Sequence, residues 1–181
     1  MSELLKVAIR MNIVLIGYRG TGKTTISKLL GNKLKRDVIN LDERIVEKAG
    51  LSIPKIVERF GWDRFRDIES EIVEEVSIKD NCVIDTGGGV VLRDKNIRNL
   101  KKNGIIILLT ASKEKIVERI KNSNNRPSLT KGKTFLEEIE LVMEERKPKY
   151  TLAQDYTIDT SNLTTHEIFE QILSILNQKL R

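Results

Sequence analysis

Gly17, Gly20, Gly22, Lys23 and Thr24 fall in the spacing G-x-x-x-x-G-K-[ST], read in full as Gly17-Tyr18-Arg19-Gly20-Thr21-Gly22-Lys23-Thr24. That is the Walker A spacing of a phosphate-binding loop, and the chemistry explains it. Glycines let successive backbone N–H groups turn inward around a phosphate. A helix starting near Lys23 adds the positive end of its dipole. The Lys23 ammonium can reach the outer phosphates of a nucleotide, and the Thr24 hydroxyl can ligand Mg2+. Gly20, Thr21, Gly22, Lys23, Thr24 and Thr25 are therefore candidate nucleotide-binding residues, and Lys23 is also a candidate catalytic group.

A phosphate loop alone does not separate a kinase from a GTPase, an ATPase or a regulatory switch. Asp85-Thr86-Gly87-Gly88 ends an apolar run, and Asp85 stands where a carboxylate would hold Mg2+ directly or through water. The same four residues fit a GTPase-like D-x-x-G. The chain has no N-K-x-D or T-K-x-D tetrapeptide to read guanine, which counts against a GTPase. Arg126 precedes Pro127 in a polar, aperiodic stretch, where an arginine could close over a γ-phosphate. Arg66 and Arg146 have acidic neighbours at Asp67, Glu69 and Glu145. Arginine suits bidentate capture of a carboxylate, but spacing alone favours surface ion pairs.

Strand-like and helix-like runs alternate to position these residues. Strands are expected at Asn12–Gly17, Asp37–Leu41, Asn81–Thr86, Ile105–Thr110 and Tyr156–Asp159. Helices are expected at Lys23–Lys35, Asp42–Ala49, Ser52–Phe60, about Trp62–Lys79, Ser112 to about Lys121, Thr134–Lys147 and Thr165–Lys179. Ser52 is the expected N-cap of its helix, with Pro54 in the first turn, and Gly61 is the expected break. The alternation predicts an α/β fold, a three-layer α/β/α arrangement around a mostly parallel five-stranded sheet. Asn122–Lys133 is long, polar and aperiodic, and reads as part of a lid at about 121–134.

The 181 residues suit a single domain with a real core. The net charge of +6 is spread over helices that also carry acids, with no basic stripe interleaved with aromatics, so a nucleic-acid partner is not expected. Cys82 is the only cysteine, in the apolar run Cys82-Val83-Ile84. It reads as a small buried hydrophobe in a reducing, cytoplasmic setting. Met1–Arg10 is too short and too weakly apolar for a signal peptide or membrane span, and reads as an extension or alternative start before Met11. His166 reads as a surface residue, Trp62 and Tyr150 as packing residues, and no Cys/His cluster suggests a structural metal.

From about Met11 to Thr160 the chain resembles the shikimate kinases. The matching pieces occur in order: the loop 17–24, Asn40-Leu41-Asp42, Phe65-Arg66-Asp67-Ile68-Glu69, Thr86-Gly87-Gly88-Gly89, Arg126-Pro127-Ser128-Leu129, and Arg146-Lys147-Pro148-Lys149-Tyr150. The resemblance implies a P-loop kinase fold and transfer of the γ-phosphate of ATP to the 3-hydroxyl of shikimate, with Mg2+, by a monomer. It gives Asp42 to the acceptor hydroxyls as candidate base. Arg66 and Arg146 go to the shikimate carboxylate, Glu69 to the positioning of an arginine, and Gly87, Gly88 and Gly89 to a close backbone approach. Arg126 goes to ATP as the lid arginine and catalytic group, and Arg119 and residues near Asn162 go to the adenine. Helices at about 42–79 would form the acceptor side.

The chain departs from that family at three positions. Asn40 stands where a second aspartate, associated with Mg2+, is usual. Asp85 stands where a small or neutral residue is more frequent, and would take over the metal-associated role. Arg19 replaces a neutral residue and is expected to point to solvent, the alternative being that it adds phosphate affinity. The rival readings are a P-loop kinase for another sugar acid such as gluconate, and a nucleotide-dependent switch or nucleic-acid-binding module.

Overall fold

The computed structural model describes residues 11–120 and 135–178. The extension 1–10 and the expected lid at 121–134, Arg126 included, lie outside the described residues. Five strands form one sheet: β1 (Asn12–Ile16), β2 (Asp37–Asn40), β3 (Cys82–Asp85), β4 (Gly104–Thr110) and β5 (Tyr156–Asp159). Their order is β2-β3-β1-β4-β5, and every pairing is parallel. The described residues contain seven helices: α1 (Lys23–Leu34), α2 (Leu41–Ala49), α3 (Ile53–Ser77), α4 (Asp94–Lys102), α5 (Lys113–Ile120), α6 (Phe135–Ala153) and α7 (Thr165–Gln178).

The central strands are buried on both faces, which is why they read as continuous β-branched runs. Alternate side chains go to opposite layers. Val14, Ile16, Ile84, Ile106 and Leu108 join a core with Ile45, Ile56, Phe65 and Ile72 from α2 and α3. Ile13, Leu15, Val83, Ile105 and Ile107 join a second core with Ile26 and Leu30 of α1 and Ile168, Phe169 and Ile172 of α7. A smaller cluster of Tyr18, Ile116, Ile120, Ile139 and Val142 ties α5 to α6.

Chain connections leave β1 toward β2 on one side, while β4 lies on the other. The C-terminal end of β1 is thus the point where strand order reverses, the place at which parallel sheets bind ligands. The phosphate loop sits there.

Several expected boundaries shift. Ser52 occupies the N-cap of α3, but its side chain makes no capping bond. Gly61 breaks that helix as expected, with φ 80° and ψ 171°. The helix expected to end at Lys147 continues through Pro148 to Ala153. Proline removes one helical bond, but Tyr150 and Ala153 beyond it are packed into the core, which holds the helix together. Helix α4, unassigned from sequence, is almost wholly polar and buries only Asn96 and Leu100. Cys82 is buried and His166 is exposed, as expected, with Glu170 Oε1 3.9 Å from His166 Nδ1.

Candidate active site

The phosphate loop closes on itself. Lys23 Nζ donates to the carbonyls of Gly17 (2.8 Å) and Tyr18 (3.0 Å), and Thr21 Oγ1 donates to the Tyr18 carbonyl (2.8 Å). Gly17 packs so closely on β4 that an added Cβ would lie 2.2 Å from the Leu109 carbonyl oxygen. Gly22, at φ 94°, is the N-cap of α1, and no side chain caps that helix. The N-terminus of α1 therefore opens at the loop, the arrangement that favours an anion.

A cleft follows this loop. Gly20, Thr21, Gly22, Lys23, Thr24, Thr25 and Arg119 all line it, so every described residue expected at the nucleotide comes together. Arg119 donates to the Gly20 carbonyl (3.1 Å), the Thr160 carbonyl (2.8 Å) and Thr160 Oγ1 (3.1 Å). It thereby ties the loop to the end of β5. Thr160, Leu163, Thr165 and Ile168 complete the wall, while Asn162 is exposed and its neighbours line the cleft instead.

Asp85 ends β3 beside the loop and is 3% exposed. Its Oδ2 accepts from Thr24 Oγ1 (2.7 Å) and from Asn40 Nδ2 (2.9 Å). Asn40 Oδ1 in turn accepts from the Glu43 backbone N–H (3.1 Å), capping α2. Burial pushes the Asp85 carboxyl above its ordinary range, against the pull of the Thr24 hydroxyl and Lys23. A hydroxyl and a buried carboxylate at the loop mouth are oxygen donors of the kind Mg2+ accepts. Among the described residues no group of three or more His, Cys, Asp or Glu side chains could hold a metal by itself. A Mg2+ here would complete its shell with phosphate oxygens and water, as Mg2+ ordinarily does.

A narrow second cavity adjoins the cleft. Asp42, Arg66, Gly87, Gly88, Gly89 and Arg146, all six residues expected at the acceptor, line it together with Glu69. Arg66 is not a surface ion pair. Its Nη1 donates to both oxygens of Glu69 at 2.7 and 2.8 Å, and Glu69 is fully buried. Desolvation drives the Glu69 carboxyl upward and the Arg66 guanidinium opposes that shift. The guanidinium also lies 4.7 Å from the Phe65 ring centroid and 5.5 Å from that of Trp62. Arg146 is 7% exposed and donates to the Gly88 carbonyl at 2.9 Å. Tyr150 donates to the same oxygen, and burial lifts its phenol to about 12 against the opposing effect of Arg146.

At two positions of the glycine triplet a side chain would collide with an acceptor-site group as it now stands. A Cβ on Gly89 would lie 2.2 Å from Arg66 Nη2, and one on Gly87 would lie 2.9 Å from Asp42 Oδ1.

Arg19 contradicts its expected exposure. Its side chain is 18% exposed, Nη2 pairs with Glu138 Oε1 at 2.6 Å, and Glu138 is buried on α6. Spacing within the loop could not reveal a partner 119 residues away. Ile53, Trp62 and Phe65 also line the acceptor cavity and were not singled out for it. The signal was present: Trp62, Phe65 or Arg66, and Glu69 recur every three or four residues, one face of a helix.

Among the described residues no helix is long and apolar enough to cross a membrane. A family model described as Shikimate kinase matches residues 19–177. A shikimate kinase of Thermodesulfovibrio yellowstonii is 46% identical over 162 residues, 90% of this chain and 92% of that protein. The structure of shikimate kinase from Acinetobacter baumannii in complex with shikimate superposes with a TM-score of 0.89 at 31% identity, covering 96% of this chain and 97% of that one. A gluconokinase from Sinorhizobium meliloti, at 15% identity and a TM-score of 0.61, shares the fold alone. With the family model spanning most of the chain and this level of identity, the chain belongs to the shikimate kinase family.

Proposed function

We propose that this chain transfers the γ-phosphoryl group of ATP to the 3-hydroxyl of shikimate, a step toward chorismate and the aromatic amino acids, as a cytoplasmic monomer using Mg2+. The observation that carries the reading is the adjacency of two unlike cavities in a member of this family. One is built from the phosphate loop, and the other from Asp42, Arg66 and Arg146 around a glycine triplet. Shikimate is small, anionic and polyhydroxylated, and such a site supplies arginines for its carboxylate and an acid group for its hydroxyls.

Each residue has a stated task. Lys23 and the loop N–H groups hold the outer phosphates, with Thr25 and Arg119 on the rest of the nucleotide. Thr24, and Asp85 through water, would hold Mg2+, which when bound neutralises phosphate charge. Arg126, outside the described residues, is assigned to the γ-phosphate by resemblance. Arg66, fixed by Glu69, and Arg146 bind the carboxylate, while Gly87, Gly88 and Gly89 let the acceptor ring approach the backbone.

Asp42 orients the acceptor hydroxyl and takes its proton. The hydroxyl oxygen bonds to the γ-phosphorus as the bond to the bridging oxygen breaks and its electron pair leaves with ADP. The transition state is loose, so positioning and charge do more than proton removal.

A coupled ADP-release assay with shikimate, gluconate, or added RNA or DNA tests the reading. Shikimate-dependent turnover supports it. Turnover driven by gluconate or nucleic acid and not by shikimate overturns it.

A further inference from the structure

Among the described residues Arg19 and Asp42 are the two that line both cavities, so they form the wall where donor and acceptor meet. We infer that Arg19 contacts the phosphoryl group as it passes between nucleotide and acceptor, and remains on it in the phosphorylated product. The inference rests on the proposed phosphoryl transfer.

Three observations support it. The first is position, since a group reaching from the phosphate loop to the acceptor cavity must pass this wall. The second is charge. Asp42 on the same wall repels an incoming phosphoryl group, whose equatorial oxygens carry spread negative charge. A guanidinium carried on the same wall counters that repulsion and presents N–H donors in a planar fork suited to phosphate.

The third is fixation. Glu138 is 4% exposed and holds Arg19 Nη2 at 2.6 Å, so the guanidinium stands in place before the reaction begins. Glu138 and Arg146 lie on the same helix, α6, eight residues apart. The Arg19 pair therefore joins the phosphate loop to the element that carries an acceptor-site arginine.

The competing role is a simple strut between loop and helix. A strut would affect the phosphorylated and unphosphorylated acceptor alike, whereas a phosphoryl contact favours the phosphorylated one. Calorimetric titration of shikimate and of shikimate 3-phosphate, each with Mg-ADP present, separates the two roles through the ratio of affinities. Arg19→Met should lower the ratio of the affinity for shikimate 3-phosphate to that for shikimate about tenfold or more.

Retained shikimate affinity also shows that the variant is folded. Arg19→Lys keeps a point charge without the planar fork and should lower the ratio by a smaller factor, about threefold. It carries the test if Arg19→Met does not fold. A ratio unchanged from wild type in both variants overturns the Arg19 assignment alone. Wild-type protein that binds neither ligand overturns the proposed function and this inference with it.

Discussion

Glu69 grips Arg66 through both carboxylate oxygens, at 2.7 and 2.8 Å, from a position with no solvent exposure. A buried carboxylate this costly to desolvate is held by its paired guanidinium, and it fixes that guanidinium in return. Glu69→Gln keeps the shape but loses the charge-assisted pair. The shikimate KM should rise about tenfold with the Kd for ATP within about twofold, measured by steady-state kinetics and nucleotide titration. Glu69→Ala strips the buried pair and should cost about 3 kcal/mol of stability by denaturant unfolding.

Gly89→Ala places a Cβ where Arg66 Nη2 now lies, at a separation of 2.2 Å. The guanidinium must move, so this variant should reproduce the raised shikimate KM of Arg66→Ala. Because both changes act on one group, the double variant should be no worse than the more damaging single one. Additive losses in the cycle would show that the glycine acts through something other than Arg66.

Asp85 links stability to pH through its burial. Its folded-state pKa is raised, so its contribution is present below the ordinary carboxylate range and lost as pH rises through the raised value. Ionised Asp85 thus weakens the nucleotide-free protein at neutral pH. Asp85→Asn should raise the neutral-pH melting temperature by about 2–4 °C, with the gain vanishing in acid where wild-type Asp85 is protonated. The same variant should bind Mg2+ more weakly in the presence of ADP. A lower melting temperature at pH 7, or an unchanged Mg2+ requirement, would count against this role.

Arg119 fastens the Gly20 carbonyl to Thr160 from the last turn of α5. Arg119→Ala leaves both carbonyls without that donor and loosens the nucleotide cleft. The Kd for ATP should rise about tenfold while shikimate binding without nucleotide is retained. Equal loss of both ligands would place Arg119 in general folding instead.

The sheet was legible because its strands are β-branched and bounded by glycine or polar residues, and because Lys23 and Thr24 follow the loop at fixed offsets. The acceptor residues were legible by resemblance, since Arg66 and Arg146 alone look like surface ion pairs until burial is known. Helix α4 was not legible: Ile97 and Leu100 are its only apolar residues, too few to announce a helical stripe. The end of α6 was misplaced because Pro148 reads as a stop, whereas the packing of Tyr150 and Ala153 overrides it. Arg19 was misread because its partner is on α6, far along the chain, and only the folded structure brings Glu138 to it.

The glycine triplet carries a lesson for how such a site can diverge. Gly87 faces Asp42, Gly88 faces the phosphate loop and Tyr150, and Gly89 faces Arg66. A larger residue at Gly87 or Gly89 must therefore displace Asp42 or Arg66, two groups from separate parts of the chain. Change at that turn toward a different acceptor carries the cost of moving one of those groups. Ile53 lines the same cavity from outside the turn and the phosphate loop, so a change of bulk there escapes that constraint.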